Sequence, residues 1–316
     1  MINKIIIPGR IQTDTSVAIF LLNKFGKEKF SGIENAKIEI KALEELEKKE
    51  DEILLDVGGG DLDHHGKDQT TTCSKLVAEN LKVDNNPSIL KMLGLAERCD
   101  IYGKGIISED VIDKAFGIPG LLVSLNRKFN NDPNRVFKTI EPVLEAHYED
   151  ERHRNEELPN ELKKKQEAGE VVSFEILQRN KKFKVIILTS DDSVMPGFLR
   201  SSAGGANDIV VQWNTSGHVN IITKQVKRVD LRSLAGLLRK SEAMMSNLSV
   251  TEDFEELSKP GRIKEIPEWY YDPATNSIQN GGINPRLVPA TKISKKSMEE
   301  ILRLGLEEKL WKPQTH

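Results

Sequence analysis

The stretch ILLDVGGGDLDHHGK, residues 53–67, decides how this chain is read. An apolar run, Ile53 to Leu55, climbs to Asp56 and Val57, breaks over Gly58, Gly59 and Gly60, and lands on Asp63, His64 and His65. A short, continuous apolar run bounded by glycines predicts a strand buried on both faces, as in a parallel sheet. Open α/β sheets collect their ligands at the carboxyl ends of strands. An aspartate at such an end, followed by a glycine turn and two of the chain's six histidines, marks a ligand site.

Working outward, KIII (4–7) reads as a second buried strand closed by Pro8 and Gly9, and KIEIK (37–41) alternates as a strand should. Between them SVAIFLLNKF (16–25) has helical apolar spacing and stops at Gly26, a residue suited to the position past a helix end. TTTCSKLVAENL (70–81) and SILKMLGLAERC (88–99) follow as helices, the first with threonines placed to cap it. Strands alternating with helices predict an α/β fold, a mostly parallel sheet flanked by helices, over residues 1–130. Residues 131–170 read as a helical connector: Phe137, Ile140, Val143, Leu144 and Tyr148 form one stripe, and the charged run after it is polar nearly all round. His147 and His153 lie there without the spacing of a helical metal pair and read as surface residues. From 171 to 316 the pattern turns β-rich, with VVSFEIL, FKVIIL, DIVVQW and HVNIITK as strands and DLRSLAGLLRK and KSMEEILRLGLEEKL as helices. That predicts a smaller α+β domain suited to holding substrate.

Composition sets outer limits. The chain has 316 residues, 38% hydrophobic and 30% charged, as in an ordinary globular protein. No apolar run reaches the roughly eighteen residues of a membrane helix, and the opening MINKIIIPGR lacks the length of a signal peptide. Two cysteines, Cys73 and Cys99, make no disulfide framework and read as reduced thiols, so the cytoplasm is the expected compartment. A net charge of −3 argues against a broadly basic surface that coats nucleic acid. The composition calls for no membrane and admits a homodimer.

The chemistry sits in the acidic and imidazole groups. Strand-end carboxylates suit hard divalent cations, and adding imidazole tilts the preference towards Mn²⁺ over Mg²⁺. Asp14 follows the first strand, Asp56 ends ILLDV, His64 follows the glycine turn, and Asp100 closes a helix, so four ligands can converge above one sheet. Singly, each has a plain structural explanation: Asp14 a helix cap, Asp100 a loop residue, the histidines a local hydrogen-bonding device. The combination is what points to a metal.

These residues carry a resemblance. LLDVGG followed by DHHG resembles the DHH phosphoesterase superfamily, which includes oligoribonucleases and manganese pyrophosphatases. DVGGGDLDHHGKDQTTTCSKLV (56–77) more narrowly resembles the melanocyte-proliferating-gene (MYG) family of exonuclease-like proteins. PGRIQTDTSVAIFLL (8–22) is similar to that family's first motif, AERCDIYGKG (96–105) to its last metal motif, and VVQWNTSGHVNIITK and IQNGG to features of its C-terminal half. The resemblance implies a DHH-like domain and a metal-dependent hydrolase that cleaves phosphoester bonds of RNA oligonucleotides or nucleotides by attack of a metal-bound hydroxide. It implies Asp14, Asp56, His64 and Asp100 as metal ligands, with Asp56 bridging. His65 would face the substrate phosphate, and Asp63 would orient the histidines.

The first motif departs from the family's pattern. Arg10 or Gln12 stands where a histidine is expected, and Thr15 or Ser16 where a second carboxylate is expected. A guanidinium has no lone pair to give a cation. The reading is therefore one tightly held ion, with Arg10 free to clamp phosphate, and its alternative is an impaired relative that binds a nucleotide or a protein partner. In the second half, RSSAGGAND (200–208) offers Arg200, Gly204 and Gly205 to a phosphate, and NGGINPR (280–286) offers Gly281, Gly282 and Arg286. Each of these also reads as a plain turn. Trp269, Tyr270 and Tyr271 either stack a base or pack in a strand.

Overall fold

The computed structural model describes residues 1–46, 49–65, 70–103, 109–251, 253–281 and 288–307. The chain divides into two compact units, Met1–Asn155 and Glu156–His316.

The first unit is α/β. Its strands are β1 (Lys4–Ile7), β2 (Lys37–Ile40) and β3 (Glu52–Leu54), all parallel in the order β2-β1-β3. Ile5, Ile6 and Ile7 are wholly buried, which suits β-branched residues in a central parallel strand. Helix α1 (Thr13–Phe25) follows β1 and is buried from Thr13 through Leu22. It ends at Gly26, where a Cβ would lie 2.4 Å from the Leu22 carbonyl oxygen. Around it pack α2 (Cys73–Asn80), α3 (Leu90–Asp100) and, farther along, α6 (Pro133–Arg152). Two shorter helices, α4 (Val111–Phe116) and α5 (Ile118–Lys128), lie between α3 and α6.

The apolar stripe assigned to a connector belongs elsewhere. Phe137, Ile140, Leu144 and Tyr148 of α6 are buried in the same core as Ile5, Phe20 and Leu22. Only Val143 of that stripe remains exposed. A helix with this much apolar face gains more by covering the first unit's core than by spanning between units. The division falls inside a π turn, His153–Glu157, so residues 131–170 are shared between the two units.

The second unit comprises α7 (Leu158–Glu167), β4 (Val172–Gln178), β5 (Lys181–Thr189), α8 (Met195–Arg200), β6 (Ile209–Trp213), β7 (Val219–Thr223), α9 (Arg232–Ser246), α10 (Phe254–Leu257), β8 (Trp269–Asp272), β9 (Ser277–Asn280) and α11 (Lys295–Leu306). Its sheet runs β4-β5-β6-β7-β9-β8, with β5 and β6 parallel and the remaining pairs antiparallel. The α9 side chains hold its C-terminal third. Arg239 is fully buried and donates to the carbonyls of Leu257, Lys259, Gly261 and Trp269. Glu242, one turn on, accepts from the Trp269 indole, the Thr291 hydroxyl and the Lys292 amide. Neutral groups surround both charges: carbonyls take the terminal nitrogens of Arg239, whose buried Nε has no partner, and neutral donors take Glu242. Among the described residues, no helix is long and apolar enough to cross a membrane.

Candidate metal centre

The site forms where the first unit's sheet ends. Hydrogen bonding continues past β3 through Leu55, whose amide donates to the Ile6 carbonyl. The sequence predicts strand as far as Val57, but Asp56 takes a left-handed backbone (φ 60°) and its amide donates to the Leu62 carbonyl at 3.1 Å. Aspartate is among the few non-glycine residues that accept this conformation. The chain then turns over Gly58 and Gly59, both also at positive φ, where L side chains would be strained.

Asp63 locks this turn. One carboxylate oxygen accepts from the Gly59 amide at 2.7 Å. The other accepts from the His65 amide at 3.0 Å and sits 2.9 Å from His65 Nδ1. Burial pushes this carboxyl upward, but the two amides and the His65 ring hold it below the usual carboxylate range. The same hydrogen bond raises the His65 pKa.

Four of the expected ligands meet. Asp56 Oδ1 lies 3.0 Å from His64 Nε2, and Asp100 Oδ2 at the end of α3 lies 3.4 Å from the same nitrogen. Asp14, His64 and Asp100 present ligand atoms within 4.8 Å of one another, and so do Asp56, His64 and His65. Yet Asp56 Oδ1 and His64 Nε2 are both buried and make no hydrogen bond. Buried polar atoms left unpaired cost about 1–3 kcal/mol each. A cation that takes a lone pair from each removes that cost, so a divalent ion fits this set. Burial, then repulsion from Asp14, pushes the Asp56 carboxyl up to about 6, against the pull of His64 and His65.

Asp14 also has a structural task. Its oxygens accept the Cys73 and Ser74 amides at 2.8 and 2.9 Å, so it caps α2 from a distance in sequence. Burial still raises its pKa, against the bonds from Ser74 and Cys73. Sequence reading missed this tie, although the TTTCS run announced a capped helix start. Thr72 does cap it, accepting from the Lys75 amide. Burial lifts the Cys73 thiol well above its usual range, which leaves it un-ionised.

The remaining predicted residues fall outside this cluster. Arg10 is exposed in the loop after β1 and makes no hydrogen bond or ion pair among the described residues. Thr15 receives the Gln12 amide at the start of α1, and the Ser16 hydroxyl donates to the Thr13 carbonyl, so neither side chain is directed by a ligand role. In the second unit Arg200 donates to the carbonyls of Pro196 and Thr223. Gly204 packs so closely that a Cβ would lie 2.2 Å from the Phe198 carbonyl oxygen, and Gly205 and Gly281 have positive φ. These are turn and packing duties. Gly282 and Arg286 lie outside the described residues. Trp269 and Tyr271 are buried in the second core, and Tyr270 is partly exposed beside Arg262.

A cleft of about 420 Å³ opens beside the centre, lined by Asp61, Asp63, His64, Thr70, Thr71, Lys75, Leu76 and Glu79. Cavities of this order hold small ligands.

Comparison with known proteins adds little. No family model and no curated protein matches the chain. Among solved structures, an uncharacterized protein from Helicobacter pylori G27 aligns over 96% of this chain and 98% of its own, at 12% identity and a TM-score of 0.28. A likeness of that size carries no argument about function.

Proposed function

We propose that the chain is a metal-dependent phosphoesterase of the DHH type, closest in motif to the MYG family, acting on nucleotides or RNA oligonucleotides. The observation that carries this is the pair of buried, unbonded atoms, Asp56 Oδ1 and His64 Nε2, set among Asp14, Asp100 and His65. Carboxylates with imidazole favour Mn²⁺ over Mg²⁺. A divalent ion there supplies Lewis acidity and an acidified water. Asp56, His64, Asp14 and Asp100 would hold it. His65, exposed and fixed through Nδ1 by Asp63, is positioned to hold or move a proton at a substrate oxygen.

A second reading has its own observation. Thr15 and Ser16 spend their hydroxyls on backbone partners where a second carboxylate would stand. That supports one tight ion, and it fits a protein that binds a nucleotide without cleaving it. Purified protein with Mn²⁺, assayed on bis-p-nitrophenyl phosphate and short RNA beside the Asp56→Ala variant, separates the two. Hydrolysis lost in the variant supports the enzyme. Manganese binding without turnover supports the binder, and no manganese binding refutes both.

A further inference from the structure

Helix α2 carries its two charges on the ends its dipole disfavours. Lys75 sits at the third position after the Thr72 cap, and Glu79 sits in the last turn. Cations are stabilising at helix C-termini and anions at N-termini, and a lysine preceding a glutamate by four residues is the poorer order for a helical pair. Local stability therefore gives no reason for this arrangement. Both side chains are exposed on the face that lines the cleft beside His64. Lys75 makes no side-chain hydrogen bond or ion pair among the described residues.

The helix beneath is rigidly set. Cys73, Ser74, Val77 and Ala78 are fully buried, and Asp14 grips the first two amides. Those amides and that of Lys75 are already satisfied, so the helix end offers an anion little by itself. Among the described residues that line the cleft, Lys75 is the one lysine or arginine, set against Asp61, Asp63 and Glu79. A residue that breaks a local rule without a structural return is a candidate for function.

We propose that Lys75 is a substrate-binding residue that contacts a phosphate group in this cleft, with the Thr71 hydroxyl beside it. This rests on the metal-dependent reading above, because three carboxylates repel an anion unless a cation at the neighbouring centre offsets them. Phosphate therefore binds after the metal. The substrate class is a nucleoside monophosphate or the phosphate-bearing end of a short oligonucleotide, to which a cleft of this size is matched.

The test measures binding of Mn²⁺, and then of AMP and inorganic phosphate to the manganese-loaded full chain, by calorimetry. Lys75→Gln should weaken both phosphate ligands about tenfold and leave manganese affinity unchanged. Lys75→Glu should weaken them further, because it adds a fourth carboxylate to the cleft. Unchanged AMP and phosphate affinity in Lys75→Gln overturns the assignment. So does a wild-type chain that binds manganese but neither phosphate ligand. Lysine-dependent AMP binding without hydrolysis would keep this inference and remove the phosphoesterase. Hydrolysis with a KM that Lys75→Gln does not move would do the reverse.

Discussion

Replacing Asp56 with asparagine should stabilise the metal-free protein. Asparagine accepts the left-handed backbone that Asp56 adopts, so the turn survives and only the charge is removed. The carboxyl stands at about 6 in the fold against an ordinary 3.8. At about 1.4 kcal/mol per unit, the ionised form costs the fold about 3 kcal/mol near neutral pH. An amide left partly unpaired in the same place returns about 1 kcal/mol of that, leaving a net gain of about 2 kcal/mol. The sign follows from the raised pKa. The protonated carboxyl's contribution is fully present below the unfolded value and is lost as pH rises through the folded one. Wild type and variant should therefore converge near pH 4 and separate above about pH 6.

Urea unfolding in EDTA, followed by hydrogen exchange of α1 amides, reads this. Tryptophan fluorescence does not, because Trp213, Trp269 and Trp311 all follow residue 155. Saturating Mn²⁺ should invert the order, since a ligand at about 100 times its Kd adds about 2.7 kcal/mol to the state that binds it. A variant less stable than wild type in EDTA at neutral pH, or a gap that persists at pH 4, would refute the reasoning.

Other changes should separate along the same lines. His64→Ala should weaken manganese binding strongly, whereas His65→Ala should leave it nearly intact and slow turnover; equal losses in calorimetry would remove that division. Ser16→Asp places a carboxylate at a fully buried position whose hydroxyl bonds to Thr13, so it should destabilise by about 3 kcal/mol without tightening manganese, and an unchanged urea midpoint with higher metal affinity would show otherwise. Arg239→Met should strip four carbonyls of their donor and destabilise the second unit by about 3 kcal/mol. Tryptophan fluorescence in urea reports that loss, and an unmoved midpoint would contradict it.

Much of the first unit was legible in sequence because its signals are local. The run KIII, the stop at Gly26 and the glycine break at 58–60 each follow from a few neighbouring residues. The meeting of Asp14, Asp56, His64 and Asp100 was legible too, since parallel strands deliver their carboxyl ends to one edge. The left-handed turn at Asp56 was not, because the apolar run gives no sign of where the backbone changes hand. The stripe of α6 was visible, but its destination depends on which core lies within reach. Arg200 was read with the glycines of RSSAGGAND as a phosphate contact, whereas in the fold its guanidinium donates to the Pro196 and Thr223 carbonyls, a tie that no local pattern announces. Lys75 escaped notice because a charge at the wrong end of a helix becomes meaningful only once a cleft is seen beneath it.

Asp14 carries a consequence for how such chains age. Its carboxylate holds down the start of α2 whether or not a cation is ever bound, so a lineage that abandoned catalysis would still be selected to keep it. If the proposed metal-dependent reading holds, the His64 ring has no such second employment, and drift would reach it first. The persistence of Asp14 in a diverged descendant would then be a record of architecture, and the loss of His64, on that reading, the trace of a vanished chemistry.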